Sequence, residues 1–143
     1  SDVYKRQDYM WRDVQRRANF YGFNAKVPAP YPLKEFDLAN KVAILGKDQG
    51  WIKEYTILTY KKWFLEHLEP GSEPNLSSTL KEIGLDSDSL IKQAQTDEIE
   101  QKYLKNTEMA KNKGIFGSPT FIVENEVFWG DDRCEDAIKW LFK

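Results

Sequence analysis

GIFGSPTFIVENEVFWGDDR, residues Gly114–Arg133, decides how the rest of the chain is read. Lys113-Gly114 is a helix-stop signal, because glycine takes the left-handed conformation that closes a helix. Gly117-Ser118-Pro119 follows, and the residue before a proline is pushed toward extended geometry. Thr120-Phe121-Ile122-Val123 is β-branched and aromatic, which predicts a strand. Glu124-Asn125-Glu126 reads as a short polar turn and Val127-Phe128-Trp129 as the returning strand. Gly130-Asp131-Asp132-Arg133 turns the chain into a last helix, with acids where the helix dipole favours them. The expected order is strand, hairpin, strand, glycine turn, helix.

Length and composition bound what surrounds this unit. The chain has 143 residues, room for one domain or one and a part. Hydrophobic residues make up 41% and aromatics 14%, enough apolar surface for a core and too much for disorder. The net charge is only −2, so there is no basic excess to suit nucleic acid and no acidic tail. No apolar run is long enough to span a membrane, and no charged-then-apolar leader is visible. The single cysteine, Cys134, cannot form an internal disulfide, which agrees with a reducing cytoplasm. It reads as an ordinary helical residue rather than a redox group.

Upstream the chain reads as helices. Ser1–Gln7 shows neither a start signal nor a first strand, and is expected to be a leader or scar, partly disordered. Asp8–Tyr21 is a helix with Met10, Val14, Ala18 and Tyr21 on one face. Asn24–Leu33 carries Pro28, Pro30 and Pro32, a spacing no helix survives, so it is an extended crossing segment. Lys34–Lys47 is helical, with Phe36, Ala39, Asn40, Ala43 and Ile44 on one side. Trp51–His67 is a long aromatic helix whose row is Tyr55, Leu58, Thr59, Lys62 and Trp63. After the loop Pro70–Pro74, Ser77 or Ser78 caps a short helix, Asp86-Ser87 caps the next, and Thr96 opens a final one burying Ile99, Tyr103, Met109 and Ala110. The hairpin has no partner strand before Thr120, and a lone hairpin is marginal in water.

The Ser-Pro-Thr entering a strand resembles the C-terminal half of a thioredoxin-like fold. More closely, FGSPTF followed by FWGDDR is similar to the DsbA-like group containing the 2-hydroxychromene-2-carboxylate isomerases and kappa-class glutathione transferases. YMWRDVQRRANFYGF (Tyr9–Phe23), VPAPYP (Val27–Pro32) and FDLANKVAILG (Phe36–Gly46) resemble the same group. The fold class implied is α/β: the C-terminal part of a thioredoxin-like fold, β-hairpin plus helix, with a large all-helical insertion and the first β-α-β unit missing. The segments are then 1–7 leader or scar, 8–32 helix and crossing segment, 33–113 helical insertion, and 114–143 the thioredoxin-like β-β-α. The chain is thereby expected to be the later part of a longer protein.

The resemblance also implies a glutathione site. In this family the bond before Pro119 is cis, which turns the N–H and C=O of Ser118 outward, where an extended peptide such as glutathione adds on as a short strand. Trp129, Gly130, Asp131 and Asp132 would take its γ-glutamyl end. Gly130 lets the backbone come close, the N–H groups opening the last helix hold a carboxylate, and an aspartate accepts from the ammonium. The bland reading makes Asp131 an N-cap and Asp132 a surface acid. Tyr31 is the implied substrate contact, or else packs between prolines. Lys5 and Arg6 have the charge to meet an anionic substrate but lie in the expected leader. His67, the only histidine, reads as a helix-end residue complementing the dipole, and no further ligands suit a metal.

The family's reactive residue, a serine in the isomerase and kappa branch or a Cys-x-x-Cys in the oxidoreductase branch, has no match in this chain. The implied activity of the parent protein is a glutathione-dependent isomerase or transferase acting on an aromatic carboxylate. There the glutathione thiolate adds to the substrate, a bond rotates, and the thiolate leaves. The 143 residues alone are expected to be inactive. Two other readings stand: a DsbA-like thiol-disulfide oxidoreductase, and a non-catalytic thioredoxin-like binding module. Members of the family are often homodimers.

Overall fold

A computed structural model describes the whole of Ser1–Lys143. Its elements run α1 (Asp2–Phe20), α2 (Phe36–Gln49), α3 (Ile52–Glu66), α4 (Asn75–Glu82), α5 (Ser87–Ala94), α6 (Asp97–Asn112), β1 (Thr120–Val123), β2 (Glu126–Trp129), a 3-10 turn (Asp131–Arg133) and α7 (Cys134–Leu141). The chain divides into two compact units, Ser1–Glu100 and Gln101–Lys143, with the boundary inside α6 rather than at its end.

In the first unit α2 packs on α3 and α5, and α4 packs on the same two helices. Their apolar stripes meet in one core of Val42, Leu45, Trp51, Tyr55, Leu76, Leu80, Leu90, Ala94 and Ile99. The steps of four between Leu76 and Leu80, and between Leu90 and Ala94, put each pair on one helix face. Asp86 caps α5 as its position predicts, Oδ1 accepting from the Ser89 N–H at 3.2 Å.

Several expectations change. Residues 2–7 belong to α1, which begins at Asp2 and not Asp8. Nothing in DVYKRQ breaks a helix, and Asp2 suits the first turn. On α1, Val14 and Ala18 are half-buried while Met10 and Tyr21 are exposed. On α2 the inward side is Val42, Leu45 and Gly46, and Phe36 is exposed. The cause is Trp51, whose ring folds back within 2.8 Å of where a Cβ on Gly46 would stand. That contact turns the Gly46 side of α2 inward and leaves Ala43 and Ile44 at the core's edge. The short helix α4 starts at Asn75, directly after Pro74, and buries Asn75, Leu76, Thr79 and Leu80. Ser77 and Ser78 are inside it; Ser77 N–H donates back to Glu73 at 3.3 Å. On α6, Ile99 is buried but Met109 is exposed.

The crossing segment belongs to the first unit because it is hydrogen-bonded to α3's end. Lys26 N–H donates to the Phe64 carbonyl at 2.8 Å, and Trp63 Nε1–H to the Pro30 carbonyl at 2.8 Å. In the second unit β1 and β2 form an antiparallel hairpin pairing Thr120 with Trp129 and Phe121 with Phe128. Glu124 takes a left-handed φ of 56° to make its two-residue turn. Helix α7 packs on both strands, with Ala137 buried. No helix is long and apolar enough to cross a membrane.

Candidate functional site

The hairpin ladder runs one pair beyond its strands. Gly130 N–H donates to the Pro119 carbonyl at 3.0 Å, and Thr120 Oγ1 donates to the Gly117 carbonyl at 2.6 Å, closing the turn ahead of β1. The Ser118–Pro119 peptide bond is cis. Ser118 is exposed, and its own N–H and C=O make no main-chain hydrogen bond.

Over this turn lies Trp129. Its indole fills the space in which a side chain on Gly117 would stand. The ring of Phe116 leans on it at 5.1 Å and 56°. Trp129 remains 56% exposed, so it walls a surface rather than filling a core. Gly130 follows with φ 118° and ψ 151°, a region reserved for glycine. A Cβ there would press on Asp132 Oδ1 at 2.6 Å. Asp131–Arg133 form a tight 3-10 turn, and α7 opens only at Cys134. The chain leaves Gly130 extended and needs that turn to reach helical geometry. Arg133 is clasped by Asp136 at 3.0 Å. That bond, and then the charge of Asp132, raise the guanidinium pKa further. So the structure gathers Ser118, Pro119, Trp129, Gly130, Asp131 and Asp132 at one end of one hairpin. Sequence reasoning missed Gly117, whose missing side chain admits the indole; a glycine paired with a nearby tryptophan was the available signal.

Tyr31 lies in the first unit, 64% exposed, on a cleft of about 510 Å³. Gln7, Asp8 and Trp11 of α1 form one wall; Pro28, Ala29, Pro30 and Tyr31 form another, with His67 at the end. His67 closes α3 in a left-handed conformation, φ 58°. Its Nε2 lies 2.8 Å from the Lys26 carbonyl. A carbonyl only accepts, so Nε2 carries the hydrogen, and the dipole-complementing role expected for this histidine becomes a structural tie. Lys5 and Arg6 are exposed on α1 and do not line this cleft. Gln7 does line it, although it fell within the expected leader.

The sequence matches the DSBA-like thioredoxin domain family over residues 1–139, and the chain belongs to that family. It is 24% identical over 132 residues to the 2-hydroxychromene-2-carboxylate isomerase of Sphingobium xenophagum, covering 92% of this chain and 66% of that protein. With the protein of the same name from Pseudomonas putida the identity is 23% over 132 residues, covering 92% and 64%. The chain therefore spans less than two thirds of the length of these relatives. A solved 2-hydroxychromene-2-carboxylate isomerase shares the fold, with a TM-score of 0.82 at 24% identity over 99% of this chain and 70% of that one.

Proposed function

We propose that this chain supplies the ligand-holding part of a glutathione-dependent isomerase or transferase whose substrate is an aromatic carboxylate. The observation that carries the reading is the corner formed by Ser118, Trp129 and Gly130. Free main-chain groups at Ser118 offer an extended peptide two hydrogen bonds of strand type. Trp129 gives that peptide an apolar wall, and the glycine-only backbone at Gly130 allows close approach beside Asp132. A tripeptide with a free amino-acid head fits this set: the Asp132 carboxylate accepts from its ammonium, and a main-chain N–H where the turn opens takes its carboxylate.

Bound glutathione would supply the thiolate nucleophile of the reaction. Ser118 fixes the ligand's direction along the hairpin end, and Trp129 shields one side from water. Tyr31 takes an aromatic group in the first unit's cleft, where Trp11, Pro28, Ala29 and Pro30 offer it apolar contacts. The names of the relatives support the isomerase part of this reading.

Titration of these 143 residues with glutathione by calorimetry tests it. Saturable heat at millimolar ligand is expected, lost in Gly130→Val. Turnover is not expected from this chain alone, since none of its residues matches the family's reactive serine. No heat up to tens of millimolar, on the order of the weakest useful affinities, would sink the reading.

A further inference from the structure

The outer edge of β2 is unused. Gly130 N–H bonds the Pro119 carbonyl, so in the register of the hairpin Phe128 and Glu126 also turn their main-chain groups toward β1. Val127 and Trp129 alternate with them and turn theirs outward, where no main-chain partner meets them. Helix α7 lies chiefly over β1. What it leaves along β2 is an open groove of about 530 Å³, with Val127, Phe128 and Trp129 on one wall and α7 on the other. Arg133, Asp136, Trp140 and Lys143 follow one another at helical spacing, so they share the face of α7 that lines it. Phe128 and Trp140 meet edge to face at 6.0 Å and make its apolar floor. Arg133 and Asp136 cancel each other at 3.0 Å. Lys139 and Lys143 remain as the groove's uncompensated charges, with Lys143 Nζ 3.9 Å from the centre of the Trp140 ring.

We infer that β2 and α7 together form a docking groove for an extended acidic peptide, which adds to β2 as a third strand. The outward N–H and C=O groups of Val127 and Trp129 bond the peptide's main chain whatever its sequence. Side chains of an added strand alternate, so every second one points to the α7 side, as Phe128 does. The one opposite Phe128 rests on Trp140, and a residue two positions away reaches toward Lys139 and Lys143. Charge complementarity selects an acid there, since the one carboxylate lining the groove, Asp136, is already spent on Arg133. A second copy of this chain suits the groove less. Pairing β2 with β2 would set both α7 helices on one face of the joined sheet, lysines against lysines. The main-chain edge used is not that of the proposed glutathione corner, because Ser118 leads into β1, the other strand of the hairpin.

The test uses two capped peptides of one composition, Asp-Thr-Phe-Thr-Asp and Thr-Asp-Phe-Asp-Thr, titrated into the full chain and followed by NMR. In the first, the acids and the ring share one face of an extended strand; in the second, the acids face away from the ring. The first is expected to bind with a dissociation constant on the order of 0.1–1 mM, roughly fivefold more tightly than the second. It should shift the Val127 and Trp129 amide signals and slow their exchange with solvent. Lys139→Glu, an exposed change on α7, should weaken the first peptide about fivefold by reversing a charge at the groove. Val127→Pro takes away an outward N–H and leaves the ladder to β1 whole, so it should lose the peptide while the β1 amide signals stay in place. Added glutathione should leave the peptide's affinity unchanged. Equal affinity for the two peptides, binding that Lys139→Glu leaves intact, no shift of Val127 and Trp129 at about 10 mM peptide, or displacement by glutathione would each overturn the inference. Peptide binding without glutathione heat would fail the proposed function alone.

Discussion

The indole of Trp129 occupies the space into which a side chain on residue 117 would project. The backbone of Gly117 has no positive φ, so alanine is conformationally allowed there and only space opposes it. Trp129 is more than half exposed and can swing outward to make room. Gly117→Ala is therefore expected to cost little stability, about 1 kcal/mol, as a mild overpacking. The same swing removes the apolar wall beside Ser118. Glutathione heat should fall roughly tenfold, with a red shift in tryptophan emission as the indole meets water. Unchanged glutathione affinity in a variant whose emission has shifted would exclude Trp129 as part of the site.

Tyr55 gives the first unit an alkaline limit. Its hydroxyl is buried and donates to the Ala39 carbonyl at 2.8 Å. Burial pushes the phenol well above its ordinary pKa of 10.0, since a phenolate there would be stripped of water and could no longer donate. The folded state thus keeps a proton that the unfolded chain releases. The contribution is complete below about pH 10 and is lost as pH rises toward the folded pKa, at up to ~1.4 kcal/mol per pH unit. Tyr55→Phe should lose about 1 kcal/mol at neutral pH, with its hydrogen bond gone, yet decline less steeply in alkali. Urea unfolding of both proteins between neutral and alkaline pH measures this. Parallel decline above about pH 10 would rule out Tyr55 as the titrating group.

What the sequence made legible is set by how local each signal is. The hairpin and its ends were readable because proline, glycine and β-branched residues act within two or three positions. The Asp86 cap was readable for the same reason. The inward side of α2 was not, because it is set by Trp51 closing on Gly46 across a turn, and periodicity cannot see a ring from the next helix. The helical state of residues 2–7 was hidden by weak propensity, where neither a breaker nor an apolar stripe speaks. The cleft was half legible. Tyr31 stood out among prolines, but His67 reaches it only because α3's end returns to Lys26, a contact 41 positions apart.

Lys62 is 9% exposed, and its Nζ meets Glu82 Oε2 at 2.9 Å between α3 and α4. Glu82 is half in solvent, with 55% of its side chain exposed, so the pair is screened on one side only. An asymmetry follows. Glu82→Gln leaves a buried ammonium without its counter-charge and should cost about 1–2 kcal/mol, less than for a fully buried pair. Lys62→Met keeps the packed stem and removes the charge that needed a partner, so its cost should stay within about 0.5 kcal/mol. Denaturant midpoints of the two variants decide it; a Lys62→Met loss as large as that of Glu82→Gln would mean the ion pair itself stabilises the helix packing.

Asn75 is fully buried at the start of α4 and spends its amide on three neighbours. Nδ2 donates to the Thr59 carbonyl at 3.1 Å and to the Leu68 carbonyl at 2.9 Å. Oδ1 accepts from Thr79 Oγ1 at 3.0 Å. One side chain thereby joins α3, the loop after it and the first turn of α4. Asn75→Ala would strand these partners and open a small void, at an expected cost of about 3–4 kcal/mol. Asn75→Asp is the sharper probe. Its carboxylate would face two carbonyls with no donor to give, so its pKa in the folded state must rise above the ordinary carboxylate value. Stability tied to a raised pKa is present below the unfolded value and lost as pH climbs through the folded one. Asn75→Asp should therefore be least stable at neutral pH and recover on acidification toward about pH 4, where the wild type does not improve. Thr59 supplies the internal control. Its Oγ1 is buried with only the Tyr55 hydroxyl beside it, so Thr59→Val should change stability by no more than about 1 kcal/mol. If Asn75→Asp and wild type kept a constant stability difference across that acid range, the amide would not be the junction between the helices.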